Sequence, residues 1–146
     1  MGFAAGKQVK GKKRHVLVDT LGLLLQALVH AANIQERDGG IWVLTALGDR
    51  FPLLKKVLAD AAYRGPKFAL ALARLRPELA PPMITRSESQ KGFVALPKRW
   101  LVQRSLAWLN RCRRLTKDFE YRTRHAIAFV YLASIRVMLR KLCNPS

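Results

Sequence analysis

The last third of the chain carries the patterns that most restrict its fold. At 100° per residue, Leu101, Ser105, Trp108, Leu109, Cys112 and Leu115 share one stripe about 120° wide, which predicts a helix from Trp100 to Leu115 with that stripe buried. A second helix is expected from His125 to Leu142, where Ile127, Val130, Tyr131, Ser134, Val137, Met138 and Leu142 stand near helical spacing and should pack on a sheet. The strands of that sheet must come from upstream. Val16 to Asp19 and Leu23 to His30 are short apolar runs parted by Thr20-Leu21-Gly22, the pattern of an antiparallel hairpin. Ile41 to Leu47 reads as a helix capped by Asp38 or Gly39 and broken by Phe51-Pro52, and Leu54 to Asp60 as a strand that ends on an acid. A turn over Ala61 to Pro66 leads into a helix from Lys67 to Arg76, with Phe68, Leu72 and Leu75 on one face and Pro77 as its stop. Pro81 to Thr85 reads as a short strand and Arg86 to Pro97 as a loop. Strands alternating with helices after a hairpin predict an α/β domain with a mixed sheet.

Charge decides the class of partner. The chain has 146 residues, 27 Lys and Arg against 9 Asp and Glu, and a formal net charge of +18. That length suits one domain and that imbalance a polyanion. Apolar residues make up 50% of the sequence, too much for a disordered basic tail. Cys112 and Cys143 support neither a disulfide scaffold nor a zinc module, so a reducing cytoplasm is the expected compartment. No apolar run approaches the roughly 20 residues that cross a bilayer, and the first residues have no secretory signature, so a soluble protein with no membrane partner is expected.

The cations are grouped. Lys7, Lys10, Lys12, Lys13 and Arg14, interleaved with glycine, read as a flexible, solvated arm, used either for phosphate contact or simply for solubility. On the expected helix at Trp100, Gln103, Asn110, Arg111 and Arg114 share about 100° of arc, with Arg104 at the edge. This face has no acid before Asp118 and suits a phosphate backbone, an ordinary surface helix being the plainer alternative. Trp108 and Cys112 read as core. His15, His30 and His125 have no partner at ligand spacing and read as structural or solvated.

Three segments resemble the DDE transposases of bacterial insertion sequences, the IS4-like superfamily and its IS-five type branch. Lys7 to Leu25 resembles the family's lysine-rich lead into its second and third strands. Ala59-Asp60-Ala61-Ala62-Tyr63-Arg64-Gly65 resembles the strand end that carries the second catalytic aspartate, and Gly92 to Leu115 resembles the segment that holds the catalytic glutamate. The resemblance implies an RNase H-like mixed sheet with flanking helices, and DNA cutting and joining by two Mg²⁺ ions held on an Asp-Asp-Glu set. Under it, Asp60 is the second aspartate and a metal ligand, Arg64 a candidate contact to the scissile phosphate, and Arg99, Arg104, Arg111 and Arg114 candidate DNA contacts together with Lys7 to Arg14. The glutamate position is occupied by Gln103, a neutral carbonyl in place of a carboxylate. The first aspartate, which the family places on a central strand upstream of the basic lead-in, has no counterpart; Asp19 belongs to the hairpin motif.

One partial transposase domain over 1–146 is therefore expected: 1–15 as basic lead-in, 16–97 as hairpin and strand/helix part, 98–146 as C-terminal helices. Without the central strand, Val16 to Asp19 and Val57 to Asp60 should show open edges, making the monomer marginal or aggregation-prone unless it closes the gap differently. The leading functional expectation is a truncated transposase that binds the terminal inverted repeats of its element and is catalytically impaired. The alternatives are the downstream part of a split or frameshifted active transposase, and a non-catalytic basic nucleic-acid-binding protein. A second copy of the chain or an upstream transposase fragment is the candidate protein partner.

Overall fold

The computed structural model describes residues 2–4, 9–79, 83–84, 99–117 and 119–144 of a mixed α/β protein. Its chain forms two compact units, residues 1–34 with 101–146, and residues 35–100.

The first unit holds an antiparallel sheet of β1 (Gly2–Ala4), β2 (Val9–Val18) and β3 (Leu24–Ala31), in that order. The expected hairpin is present, but β2 begins at Val9, so most of the basic run is strand and not a solvated arm. Pairing explains the correction: Lys12↔Ala31 through Leu17↔Gln26 ties the backbone of the run to β3. The side chains adapt because a lysine or arginine stem can lie along apolar ground while its head finds an acceptor. Lys13 Nζ donates to the Ile34 carbonyl at 2.8 Å and Arg14 Nη1 to the Leu115 carbonyl at 2.6 Å. Lys12 Nζ donates to the carbonyl of Glu120. β1 pairs with Val9–Gly11 of β2, and among the described residues no strand pairs with the outer edge of Val16–Val18, the edge expected to be open.

Helices α3 (Arg99–Asn110), α4 (Arg113–Thr116) and α5 (Thr123–Cys143) complete this unit. The single helix expected from Trp100 to Leu115 is thus broken. Arg111 and Cys112 turn their amides back to the carbonyls of Trp108 and Leu109, three residues earlier, which tightens and ends α3. Leu109 and Leu115 are nonetheless both buried, so the apolar stripe survives the break and spacing alone does not reveal it. They pack with Ala27 of β3 and with Val130 and Ala133 of α5; Val16, Leu24, Phe129 and Tyr131 close in around them. Cys112 is half-buried against the same cluster. Tyr131 donates to the buried Gln26 side chain at 3.2 Å. His15 and His30 are buried in the sheet with their rings stacked at 4.7 Å, whereas His125 is exposed.

The second unit contains α1 (Glu36–Leu47), β4 (Leu58–Ala59), a 3₁₀ turn at Ala61–Tyr63, α2 (Pro66–Leu75) and β5 (Met83–Ile84). Helix α1 starts before the expected Ile41. Asp38 and Gly39 therefore lie within it and do not cap it, and Glu36 and Asp38 sit in the first turn, where the helix dipole favours acids. It ends at Leu47 because Gly48 adopts a left-handed φ of 54° and turns the chain, ahead of Phe51-Pro52. β4 is shorter than the expected Leu54 to Asp60 and pairs in parallel with β5; among the described residues no strand pairs with its other edge, the one expected to be open. The loop expected from Arg86 to Pro97 lies outside the described residues.

Helix α2 packs on α1 through Phe68 and Leu72, while Leu75, expected on that face, is exposed. Arg76 takes the buried position beyond it. Its Nη1 donates to the Gly48 carbonyl at 2.9 Å, its Nη2 to the Phe51 carbonyl at 3.2 Å, and its Nε pairs with Glu78. One guanidinium thus ties the exit of α1 to the exit of α2. Arg76→Leu should lower unfolding stability by about 2 kcal/mol, the order of a hydrogen bond made by a charged group, as measured by urea unfolding followed by far-UV circular dichroism.

Candidate functional site

In the second unit, Asp60 directly follows the parallel pair β4–β5, the end of a strand where chains turn outward and present side chains. It is exposed, and its carbonyl accepts the Tyr63 amide at 2.9 Å, closing the 3₁₀ turn. That turn drives the Tyr63 ring onto α1. A Cβ added to Gly40 would stand 2.6 Å from Tyr63 Cε1 and 3.0 Å from Phe68 Cε2, so only glycine admits the ring there. Burial, with the nearby charges of Glu36 and Asp60, pushes the Tyr63 phenol up from 10.0 to about 12. Glu36 is a residue that sequence reasoning missed; its only signal was its place at the start of α1. Arg64 is exposed beside this turn, and Lys67 pairs with Asp38 at 2.6 Å.

In the first unit, Gln103 lies exposed on α3. The hairpin loop is fastened to that helix. Asp19 Oδ1 accepts the amides of Leu21 and Leu23, each at 2.8 Å, a turn-forming role consistent with its place in the hairpin motif. Gly22, at φ +81°, passes so close to α3 that an added Cβ would meet Ser105 Oγ at 2.8 Å. Ser105 Oγ donates to the Gly22 carbonyl at 2.6 Å. The neighbouring Leu21 carbonyl accepts from Arg104 Nη2 at 2.8 Å and from Lys141 Nζ at 3.3 Å.

Trp108 is half-buried, and both of those cations lie on its ring, Arg104 at 4.6 Å and Lys141 at 4.8 Å from the centroid. The indole is therefore a platform for the protein's own charges and not wholly core. Arg111 is exposed beside it, in a groove of about 480 Å³ shared with Arg136, Arg140 and Lys141. Arg114 pairs with Glu120 at 3.1 Å and lies 5.5 Å from the Phe129 ring.

The other residues singled out from the sequence divide simply. Lys12, Lys13, Arg14 and Arg104 have their heads on main-chain carbonyls; Arg64, Arg111 and Arg114 keep theirs at the surface. Lys10 lies in β2 and Arg99 opens α3; Lys7 is outside the described residues. Among the described residues, no three His, Cys, Asp or Glu side chains gather as a metal set would require. Within its own unit Asp60 offers a single carboxylate, and within the other Gln103 offers only a neutral carbonyl, so neither by itself fits a divalent ion, which takes several charged oxygen ligands.

The transposase DDE domain family matches residues 2–138 of this chain. The chain belongs to that family. It is 29% identical over 129 residues to a protein of Burkholderia cepacia described as a putative transposase for insertion sequence element IS402, a match covering 84% of this chain and 60% of that protein. No solved structure matches. Divalent metal ions are general cofactors of the family, and no helix among the described residues is long and apolar enough to cross a membrane.

Tyr63 makes a pH signature. Its folded pKa lies above the unfolded value, so its contribution to stability is complete below pH 10.0 and is lost as pH rises toward about 12. Tyr63→Phe should remove this alkaline loss, as read from thermal melts across that range with tyrosinate absorbance as the direct titration.

Proposed function

We propose that this chain is the DNA-binding part of an insertion-sequence transposase of the IS4-like superfamily, IS-five type branch, with its strand-cutting chemistry impaired. The observation that carries the reading is Gln103, exposed on α3 where the family has its glutamate. An amide in that place removes a negative charge from a centre whose purpose is to hold two cations. Asp60 keeps the place of the second aspartate. The order of an antiparallel hairpin, a helix and a strand directly followed by Asp60 supports placing the domain among RNase H-like folds. Element termini are the proposed DNA ligand, with Arg64, Arg111 and Arg114 as direct phosphate contacts and the remaining cations adding long-range attraction. Cytoplasmic residence follows from that role.

A second reading is favoured by the match to 60% of the relative's length: the chain acts as the downstream part of a transposase whose first aspartate comes from another polypeptide segment. Gln103 weighs against full activity there too.

Duplex DNA bearing the element's inverted repeats should bind without being nicked in Mg²⁺ or Mn²⁺, and Gln103→Glu alone should not restore nicking. The logarithm of the affinity should fall with log salt by roughly 0.9 per phosphate contacted, and Arg111→Ala and Arg114→Ala should each reduce that slope by about 1. Metal-dependent cleavage by the unaltered chain would contradict the reading.

A further inference from the structure

Helix α5 is apolar on two opposite faces. Ala126, Val130, Ala133 and Ser134 are buried. On the far side of the cylinder, Ala128, Leu132, Ile135, Leu139 and Leu142 share about 80° of arc at 100° per residue. That second row faces solvent: Leu132 is 59% exposed, Ile135 51%, Leu139 53% and Leu142 77%. A solvated helix face ordinarily carries polar residues, so an apolar row of this length marks a contact surface. Its members recur at alternating steps of four and three, the period at which one helix seats another. Arg136 and Arg140 border it, lining a shallow groove with Leu132, Ile135 and Leu139. No Asp or Glu occurs anywhere in Thr123–Cys143.

We propose that the outer face of α5 is a docking seam for an acidic amphipathic helix of another protein. Spacing and charge together select that occupant. A second copy of α5 would match the apolar row but would bring Arg136 and Arg140 against the same cations, a like-charge opposition that disfavours pairing. Nucleic acid would meet the cations but leave the leucines in water. A helix with an apolar stripe bordered by Asp or Glu covers the leucines and offers carboxylates to both guanidiniums. Arg136 and Arg140 also line the groove that holds Arg111, so the seam adjoins the surface proposed for DNA.

The test uses the full chain and a synthetic helical peptide as long as α5, with leucines at alternating steps of four and three and glutamates beside them. A control peptide has lysine in place of every glutamate. Fluorescence anisotropy should show binding of the glutamate peptide alone, weakened at least about tenfold by Ile135→Gln with Leu139→Gln. Arg136→Glu with Arg140→Glu should abolish binding of the glutamate peptide and create binding of the lysine peptide. All four positions are exposed, and matching melts of the variants establish that they fold. The proposal is overturned if the glutamate peptide fails to bind, or if both peptides bind alike. It is equally overturned if the leucine-face variants instead abolish self-association in sedimentation or adsorption to anionic phospholipid vesicles.

Discussion

With 27 cations and 9 acids, this protein cannot neutralise its charge by pairing side chains. Its structure depends on another solution, in which main-chain carbonyls accept the cations. Lys12, Lys13 and Arg14 reach from β2 to the carbonyls of Glu120, Ile34 and Leu115, binding the sheet to segments distant in sequence. Arg50 caps the end of α1, Arg76 joins the exits of α1 and α2, and Arg104 with Lys141 fixes the hairpin turn. Charge-assisted bonds to carbonyls are stronger than neutral ones, and at a helix C-terminus the dipole adds to them. A basic chain thereby turns its charge excess into cross-links, at the cost of removing some cations from the surface that would meet DNA.

That trade explains what the sequence disclosed. The hairpin, the alternation of strands and helices, and both C-terminal helices were legible because apolar spacing is a direct record of burial. Lys10 to Arg14 was misread because a strand of lysines has no apolar alternation, and its partners, three carbonyls far along the chain, leave no trace in local sequence. The break at Arg111 and Cys112 was hidden because the apolar stripe continues across it. Asp60 and Gln103 were singled out by resemblance to a motif, whereas Glu36 acts on Tyr63 only through tertiary packing over Gly40, which no spacing rule reports.

Membership of the transposase DDE domain family gives these parts a common purpose. On the reading proposed here, the exposed cations near α3 and Arg64 meet DNA, Asp60 persists as one vertex of an acid set, and Gln103 withdraws another. The hairpin is fastened to the helix that bears Gln103, through Ser105 and Arg104, so the local scaffold of that position is intact even though its carboxylate is absent. Loss of charge, not loss of local structure, is the proposed defect.

On the proposed function, Lys12, Lys13 and Arg14 are structural cross-links while Arg111 and Arg114 are ligands for DNA. Comparing Arg14→Met with Arg111→Met for both thermal stability and affinity for duplex DNA tests it most directly. The account predicts a clear drop in melting temperature with little change in affinity for Arg14→Met, and the reverse for Arg111→Met. An Arg14→Met protein that melts as before but binds DNA weakly would contradict it.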